Sequence, residues 1–265
     1  MSTPSTDDYA PSAEFYDYVP FYRDRADVLF YVEEALNANG PVLEVASGSG
    51  RVLIPTARAG CNIVGLDASA QMLAKCRSSL QREPEQVQER VTLVHADMRE
   101  FDLGRQFALV TLPFRAFQHL LTVEDQIACL TCVRRHIADD GRFIVDAYNP
   151  SLEMLVNTKS GEEFDADPPF TLPDGRTVQR RLRILERNQF TQISDNEFIY
   201  YVTDEGDGSQ RIVHRFSMRY TFKFEMEHLL YRVGFVVEQV YGDFDRRPFG
   251  SKYPGELIFV SRKAA

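Results

Sequence analysis

The sequence predicts an α/β fold: a doubly wound, mainly parallel seven-stranded sheet with an antiparallel β insertion after the fifth strand. Three observations predict it. Short β-rich runs alternate with helical patterns from residue 42 to residue 147, which implies parallel strands covered by helices on both faces. The segment from Pro41 to Arg51 passes from a strand through a Ser/Gly loop into a helix, and the next strand ends on Asp67. After Tyr148-Asn149-Pro150 the helical periodicity gives way to three long β-like runs.

The elements follow in order. Residues 14–38 read as helix, stopped by Gly40-Pro41, because glycine suits a helix end and proline cannot continue it. Strands are expected at 42–46, 62–66, 91–95, 107–112 and 143–147, with helices at 51–59, 69–81 and 123–138. Ser69 is a candidate N-cap, and Thr122 with Asp125 a candidate capping box. Residues 151–173 are rich in loop signals, including Pro168-Pro169. The runs 176–187, 197–204 and 210–220 follow, with Asp204–Gly208 as a turn between the last two. Arg180, Arg181 and Arg183 are interleaved with apolar residues, as in strands with one wet face. A helix at 223–232 and a hairpin of 235–241 with 256–262 close the chain. The expected organisation is a flexible leader at 1–12, a cofactor-binding domain of 13–150 with 221–265, and an insertion at 151–220 serving as a cover or dimer surface.

The strand, small-residue turn, helix and acid-terminated strand describe a nucleotide-type cofactor lying over the ends of a parallel sheet. Glycines let backbone approach the ligand. Asp67 is suited to accept two hydrogen bonds from a ribose diol. Glu44 lies inside a strand expected to be buried, where an acid needs a partner. Dinucleotide loops place a third glycine three residues after the second; here Leu53 stands there, which disfavours a pyrophosphate.

The segment resembles motif I of the class I S-adenosylmethionine-dependent methyltransferases, with Ala46 in place of the first glycine. Gly65-Leu66-Asp67-Ala68-Ser69 with Met72-Leu73 is similar to the second motif, and Val94-His95-Ala96-Asp97-Met98 to the end of the third strand. The fourth strand, Leu109 to Phe114, and the closing hairpin also resemble the family, which covers roughly residues 12–150 and 221–262. The resemblance implies S-adenosylmethionine as cofactor. Glu44 would anchor its amino-acid end, Ala46, Ser47, Gly48 and Gly50 shape the loop, and Asp67 take the ribose. Ala68, Met72 and Leu112 would line the site, and Asp97 with Met98 meet the adenine. The expected activity is methylation of a small molecule at nitrogen or oxygen. Rival readings are an NAD(P)-dependent oxidoreductase, disfavoured by Leu53 and the lack of a Tyr-x-x-x-Lys pair in a helix, and a non-catalytic cofactor-binding partner subunit.

Methyl transfer is an in-line displacement, so the protein must align the nucleophile and exclude water. The loop from Pro113 to His119 leaves the fourth strand, which in the resembled family faces the methyl group. His119 is the first candidate for a general base or acceptor-orienting group, against packing in the next helical turn. Tyr16 is a second catalytic candidate, since Tyr16-Asp17 resembles the N-terminal cap of many small-molecule methyltransferases. Tyr22, Arg115, Arg219 and Tyr241 are candidate substrate contacts; Arg115 is equally placed to pair with Asp125.

A net charge of −9 and a sequence pI near 5.1 argue against a nucleic-acid partner. The expected partners are a small-molecule acceptor and a second copy in a homodimer. No apolar run approaches the ~18 residues of a membrane span. The polar, acidic N-terminus lacks the features of a signal peptide, so a cytoplasmic location with reduced thiols is expected. Cys129-x-x-Cys132 sits inside a helical pattern without a second ligand pair, so it and Cys61 and Cys76 are expected to be packed thiols. Asp146-x-x-Asn149 does not match the ligand pattern of catechol-type enzymes, so no metal is expected.

Overall fold

The computed structural model describes residues 12–157, 160–204 and 208–264. All of the expected leader but Ser12, and the centre of the turn expected at Asp204–Gly208, lie outside them. The chain begins with a 3-10 turn at Tyr16–Tyr18, α1 (Pro20–Arg23) and α2 (Asp27–Asn37). It continues through β1 (Val42–Val45), α3 (Leu53–Arg58), β2 (Ile63–Asp67), α4 (Ala70–Leu80), α5 (Glu85–Gln88), β3 (Val91–His95) and β4 (Phe107–Leu112). A 3-10 turn at Ala116–His119, α6 (Val123–His136), β5 (Ile137–Tyr148) and α7 (Leu152–Asn157) lead into the insertion. The insertion holds β6 (Glu163–Asp165), β7 (Phe170–Thr171), β8 (Thr177–Asn188), β9 (Ile193–Thr203) and β10 (Ser209–Arg219). The chain closes with α8 (Lys223–Arg232), β11 (Phe235–Tyr241) and β12 (Glu256–Lys263).

The main sheet has the order β11-β12-β5-β4-β1-β2-β3, with β12 antiparallel to β5 and β11 antiparallel to β12. The strand sequence runs outward in opposite directions from β1 and β4, so the switch point lies between them. In open α/β sheets, ligands bind beyond the strand ends at such a point.

The single helix expected at 14–38 is instead three pieces. Proline disfavours the α region for the residue before it, and Val19, before Pro20, is extended with ψ of 120°. The break frees residues 12–24 to form a cap rather than a straight helix. Ser69 caps α4 by accepting from the Met72 amide at 3.2 Å. Thr122 caps α6 through the Asp125 amide at 3.1 Å.

The insertion is a second, five-stranded antiparallel sheet in which β10, β9, β8 and β6 are neighbours and β7 pairs with β8. The strands β6 and β7 escaped sequence reading because they are two or three residues long and flank Pro168-Pro169. Arg180 corrects the one-wet-face expectation for its arginines: it is buried on the inward face, while Arg181 and Arg183 alternate outward. Phe15, Val19, Tyr22, Val178, Tyr200 and Val202 form a core shared by the N-terminal cap and this sheet.

Leu53, the residue that broke the dinucleotide pattern, has a counterpart on β2. A Cβ built on Gly65 would lie 2.1 Å from Leu53 Cδ1 and 2.9 Å from Ser47 Oγ. Close approach of helix to strand, which a third loop glycine would allow from the helix side, is here allowed by a glycine on the strand. Gly65→Ala should therefore destabilise the fold by about 1–3 kcal/mol, measured by urea unfolding. Leu53→Ala should cost about 2–5 kcal/mol alone. The double variant should cost clearly less than the sum of the two, because each change relieves the other.

Candidate active site

The cofactor side is built from the exits of β1 and β2. Ala46, Gly48 and Gly50 all have left-handed backbones, with φ of 58°, 55° and 88°. Alanine tolerates this at a modest cost that glycine avoids, so the departure at Ala46 is paid in local strain rather than in shape. A Cβ on Gly50 would meet Cys76 Sγ at 2.6 Å, and one on Gly48 would meet Met72 Cε at 3.4 Å. Cys76 and Met72, both buried on α4, thus floor the loop. Asp67 joins loop to helix: Oδ2 accepts the Gly48 amide at 2.7 Å and Oδ1 the Ser69 amide at 2.8 Å. The Ala68 carbonyl accepts from His95 Nε2 at 2.8 Å, so the end of β3 fixes the residue after Asp67.

Glu44 is 1% exposed, and its Oε2 has no hydrogen-bond partner among the described residues. Burial pushes its carboxyl well above the usual range; Arg51 opposes the shift, and Asp27 and Asp67 reinforce it. Ser47 Oγ beside it is also buried without a partner. A ligand bearing an ammonium group satisfies this pair, and the amino-acid end of S-adenosylmethionine carries one, so these residues fit the cofactor. Asp97, expected at the adenine, is paired within its own loop. Arg99 grips its carboxylate through Nε at 3.0 Å and Nη2 at 2.6 Å, and this pairing lowers its pKa. Half-buried Met98 beside it packs against the core edge. Leu112 is fully buried, so its side chain is core packing.

The acceptor side is aromatic. The rings of Tyr16 and Tyr22 lie 4.8 Å apart, and Phe114 packs edge-on to them at 6.3 and 4.9 Å. The guanidinium of Arg180 sits 4.5 Å from the Tyr22 ring and 4.3 Å from Phe198. Arg180 is held by Asp167 at 2.5 Å, and Asp167 also accepts the Phe21 amide at 3.3 Å. From Phe198 the wall continues through Phe216 at 4.8 Å to His119 at 6.2 Å. His119 is half-buried, hydrogen-bonded to the Ser217 backbone, and burial pulls its pKa down to about 4. A group that weakly basic is poorly matched to proton abstraction near neutral pH. Its position favours the orienting role over the base.

The remaining candidates are placed as follows. Arg115 pairs with Glu256 at 3.1 Å, while Asp125 pairs with Arg99 at 3.4 Å. The alternative pairing of Arg115 with Asp125 is thus replaced. Arg219 donates to the Leu121 carbonyl at 3.2 Å, tying β10 to the segment after His119. Tyr241 is not brought to the acceptor wall; it packs edge-on to Phe30 of α2 at 6.2 Å. Of the four cysteines, Cys61 is half-buried and the other three buried, all free thiols.

Sequence reading missed the network beneath the wall. Asp146, fully buried, accepts from the Tyr31 hydroxyl at 2.6 Å and from the amides of Phe114 at 2.6 Å and Arg115 at 3.2 Å. Both amide donors have left-handed backbones, with φ of 60° and 63°. Arg51 pairs twice with Asp27, at 2.7 and 2.6 Å, and stacks over Phe114 at 4.4 Å. Arg25 reaches Asp27, Asp146 and Glu256 at 3.3, 3.7 and 3.2 Å. The signal for Asp146 was present: an acid within Phe143-Ile144-Val145-Asp146-Ala147 needs a partner for the reason Glu44 does.

A glycine loop over a carboxylate-ended strand at a sheet switch point, facing an aromatic wall, defines a nucleotide-cofactor enzyme with a separate acceptor surface. Comparison with known proteins specifies the class. Residues 42–141 match the family described as Methyltransferase domain. The chain is 33% identical over 151 residues to a dTDP-3-amino-3,6-dideoxy-alpha-D-glucopyranose N,N-dimethyltransferase of Streptomyces fradiae. That match covers 55% of this chain and 56% of the relative, about half the length of each. A dTDP-3-amino-3,4,6-trideoxy-alpha-D-glucopyranose N,N-dimethyltransferase of Streptomyces venezuelae is 27% identical over 76% of this chain and 78% of its own length. Among solved structures, the CcbJ methyltransferase of Streptomyces caelestis shares the fold, with a TM-score of 0.77, 24% identity, and coverage of 98% of this chain and 100% of that one. Residues 42–141 carry the match to the methyltransferase domain, and the chain as a whole shares the fold of a solved methyltransferase.

Two outcomes follow. Glu44 is biased toward its neutral form when its Oε2 lacks a partner, and pairing with an ammonium favours the charged form. Cofactor binding should therefore release a proton, detected by calorimetry in buffers of different ionisation enthalpy. Glu44→Gln should abolish the release and weaken binding roughly tenfold or more. His119 and His214 are each lowered from 6.5 to about 4, mainly by burial. Between those values the unfolded chain binds more protons than the folded one, so stability rises with pH across the window and is flat above it. Replacing both with Gln should flatten that rise in the melting temperature measured from pH 4 to 6.5.

Proposed function

We propose that this protein transfers a methyl group from S-adenosylmethionine to the nitrogen of a small-molecule amine, with an amino sugar as the first acceptor class to test. The observation that carries it is the aromatic wall of Tyr16, Tyr22 and Phe114, joined to the glycine loop by the Ser49–Asp17 hydrogen bond next to Tyr16. Ring faces attract cations, and this reaction has one on each side: the sulfonium before transfer and the ammonium product after it. The low pKa of His119 favours nitrogen over oxygen. A free amine already carries its lone pair, whereas a hydroxyl acceptor gains most from a base matched to neutral pH. The relatives named above, both N,N-dimethyltransferases of amino-sugar nucleotides, support the acceptor class.

The cofactor, when bound, supplies an activated methyl group on a positively charged sulfur. Glu44 and Ser47 would receive its amino-acid end, and Asp67 the ribose. Tyr16, Tyr22 and Phe114 would hold the acceptor amine in line with the methyl carbon and keep water away. Transfer would form one N–C bond as the C–S bond breaks, and the proton of the resulting ammonium would leave to water. His119 and Arg219 position the far wall: the histidine ring packs on Phe216, and the arginine fixes the chain after the histidine. The insertion sheet covers this side of the site, and its outer face is the candidate homodimer surface. Among the described residues no helix is long and apolar enough to cross a membrane.

The test is incubation of the protein with S-adenosylmethionine and dTDP-3-amino-3,6-dideoxy-alpha-D-glucopyranose, followed by mass spectrometry. Mono- and dimethylated amine is expected. Methylation only of hydroxyl acceptors in a parallel panel would reverse the nitrogen assignment, and cofactor binding without transfer to any acceptor would favour the partner-subunit reading. His119→Ala should raise the acceptor KM more than it lowers kcat; a fall in kcat of ~10²–10⁴ at constant KM would restore the base.

A further inference from the structure

The side chain of Ser49, in the middle of the glycine loop and 4% exposed, does not turn toward a cofactor. Its hydroxyl donates to Asp17 Oδ1 at 2.6 Å. The other carboxylate oxygen of Asp17 lies 3.0 Å from Lys75 Nζ. Lys75, on α4, spends its remaining donors on the same segment, reaching the Ala13 carbonyl at 2.6 Å and the Glu14 carbonyl at 3.3 Å. The two elements that flank the cofactor crevice, the loop after β1 and the helix after β2, therefore both grip the cap through or beside one carboxylate. Tyr16, the neighbour of Asp17, is part of the acceptor wall. The cap also reaches the insertion, where Ser12 Oγ meets His214 Nδ1 at 3.0 Å and Glu14 pairs with Arg176.

The geometry points to Asp17 as a positioning residue: it latches residues 12–18 over the glycine loop, and cofactor exchange requires that latch to open. This rests on the methyltransferase reading above. Asp17 does not touch the reacting atoms; it acts through Ser49 and Lys75. The bonds it makes are charge-assisted and partly buried, with side-chain exposure of 35% for Asp17 and 21% for Lys75, so the latch is strong enough to hold and wet enough to release. Because Tyr16 rides on the same turn, opening for the cofactor also dismantles part of the acceptor wall. The site is then complete only when the cofactor is enclosed.

The experiment is surface plasmon resonance with S-adenosylhomocysteine as probe, on the wild type, Asp17→Asn, Lys75→Met and the double variant. Each single change should raise the dissociation rate roughly tenfold without slowing association, and the double should add less than about twofold to the faster single, since both act on one latch. Added salt should speed dissociation from the wild type and not from Asp17→Asn. Ser49→Ala, which removes one hydroxyl and leaves the ion pair, should shift the rate in the same direction by less, and it serves where a charge variant fails to fold. Dissociation rates unchanged in all variants that remain folded would overturn the latch while leaving the methyltransferase reading intact. Failure of the wild type to bind the probe would overturn both.

Discussion

The buried carboxylate of Asp146 is the constraint on which the site depends. Two successive non-glycine residues, Phe114 and Arg115, hold left-handed backbones, a conformation that costs of order 1 kcal/mol or more at each. Both amides donate to Asp146, which is what makes the conformation stable. Without that turn the chain leaving β4 would not present Phe114 to Tyr16 and Tyr22. Burial raises the pKa of Asp146, with Arg25 and the Tyr31 hydroxyl opposing the shift. Around it the network closes: three guanidiniums, of Arg25, Arg51 and Arg115, stand against the carboxylates of Asp27, Asp146 and Glu256. Removing any one member leaves an uncompensated buried charge, which is far more costly than the net worth of the pairs.

That network also divides the molecule by electrostatic role. Its members come from α2, the helix start after β1, the loop after β4, β5 and β12, so it ties together the strand ends that border the crevice. Above it the acceptor wall is uncharged or internally paired: tyrosines, phenylalanines, a neutral histidine, and Arg180 matched to Asp167. Guanidiniums already lie over two of its rings, Arg180 over Tyr22 at 4.5 Å and Arg51 over Phe114 at 4.4 Å. Glu44, on the cofactor side, is left with an unpartnered oxygen. The charges of the network thus hold geometry, and Glu44 lies where the cofactor's amino-acid end is expected.

Much of the scaffold was legible in the sequence. Strand and helix periodicity located the seven strands of the main sheet, and Gly48, Gly50 and Asp67 located the crevice, because local patterns encode local structure. The insertion was visible as a change of period after Pro150. What was not legible is pairing between distant residues: Tyr31 with Asp146 across 115 positions, or Arg115 with Glu256 across 141. The same limit explains Tyr241, whose aromatic character suited a pocket and whose actual neighbour is Phe30. Asp97, expected at the adenine, carries a local ion pair with Arg99 two residues on, which the sequence reading did not include. The broken N-terminal helix was readable in principle, since Pro20 forces Val19 out of the helical region.

The cap makes that last point consequential. A continuous helix over 14–38 would have carried Tyr16 and Tyr22 on one rigid rod packed against the sheet. The break at Val19-Pro20 instead gives a short segment with three attachments of different kinds. Asp17 bonds to the glycine loop, Arg180 of the insertion stacks on Tyr22, and Arg51, anchored by Asp27, donates to the Tyr22 carbonyl at 3.3 Å. Two of these attachments come from the segment after β1, through Ser49 and Arg51, and one from the insertion sheet. The cofactor loop is constrained by close contacts at Gly50 and Gly65 that admit no larger side chain without rearrangement. The inward face of the insertion, where Phe198, His214 and Phe216 alternate with outward residues, carries no such backbone limit. The cap therefore joins the cofactor loop to the insertion by direct contacts with both.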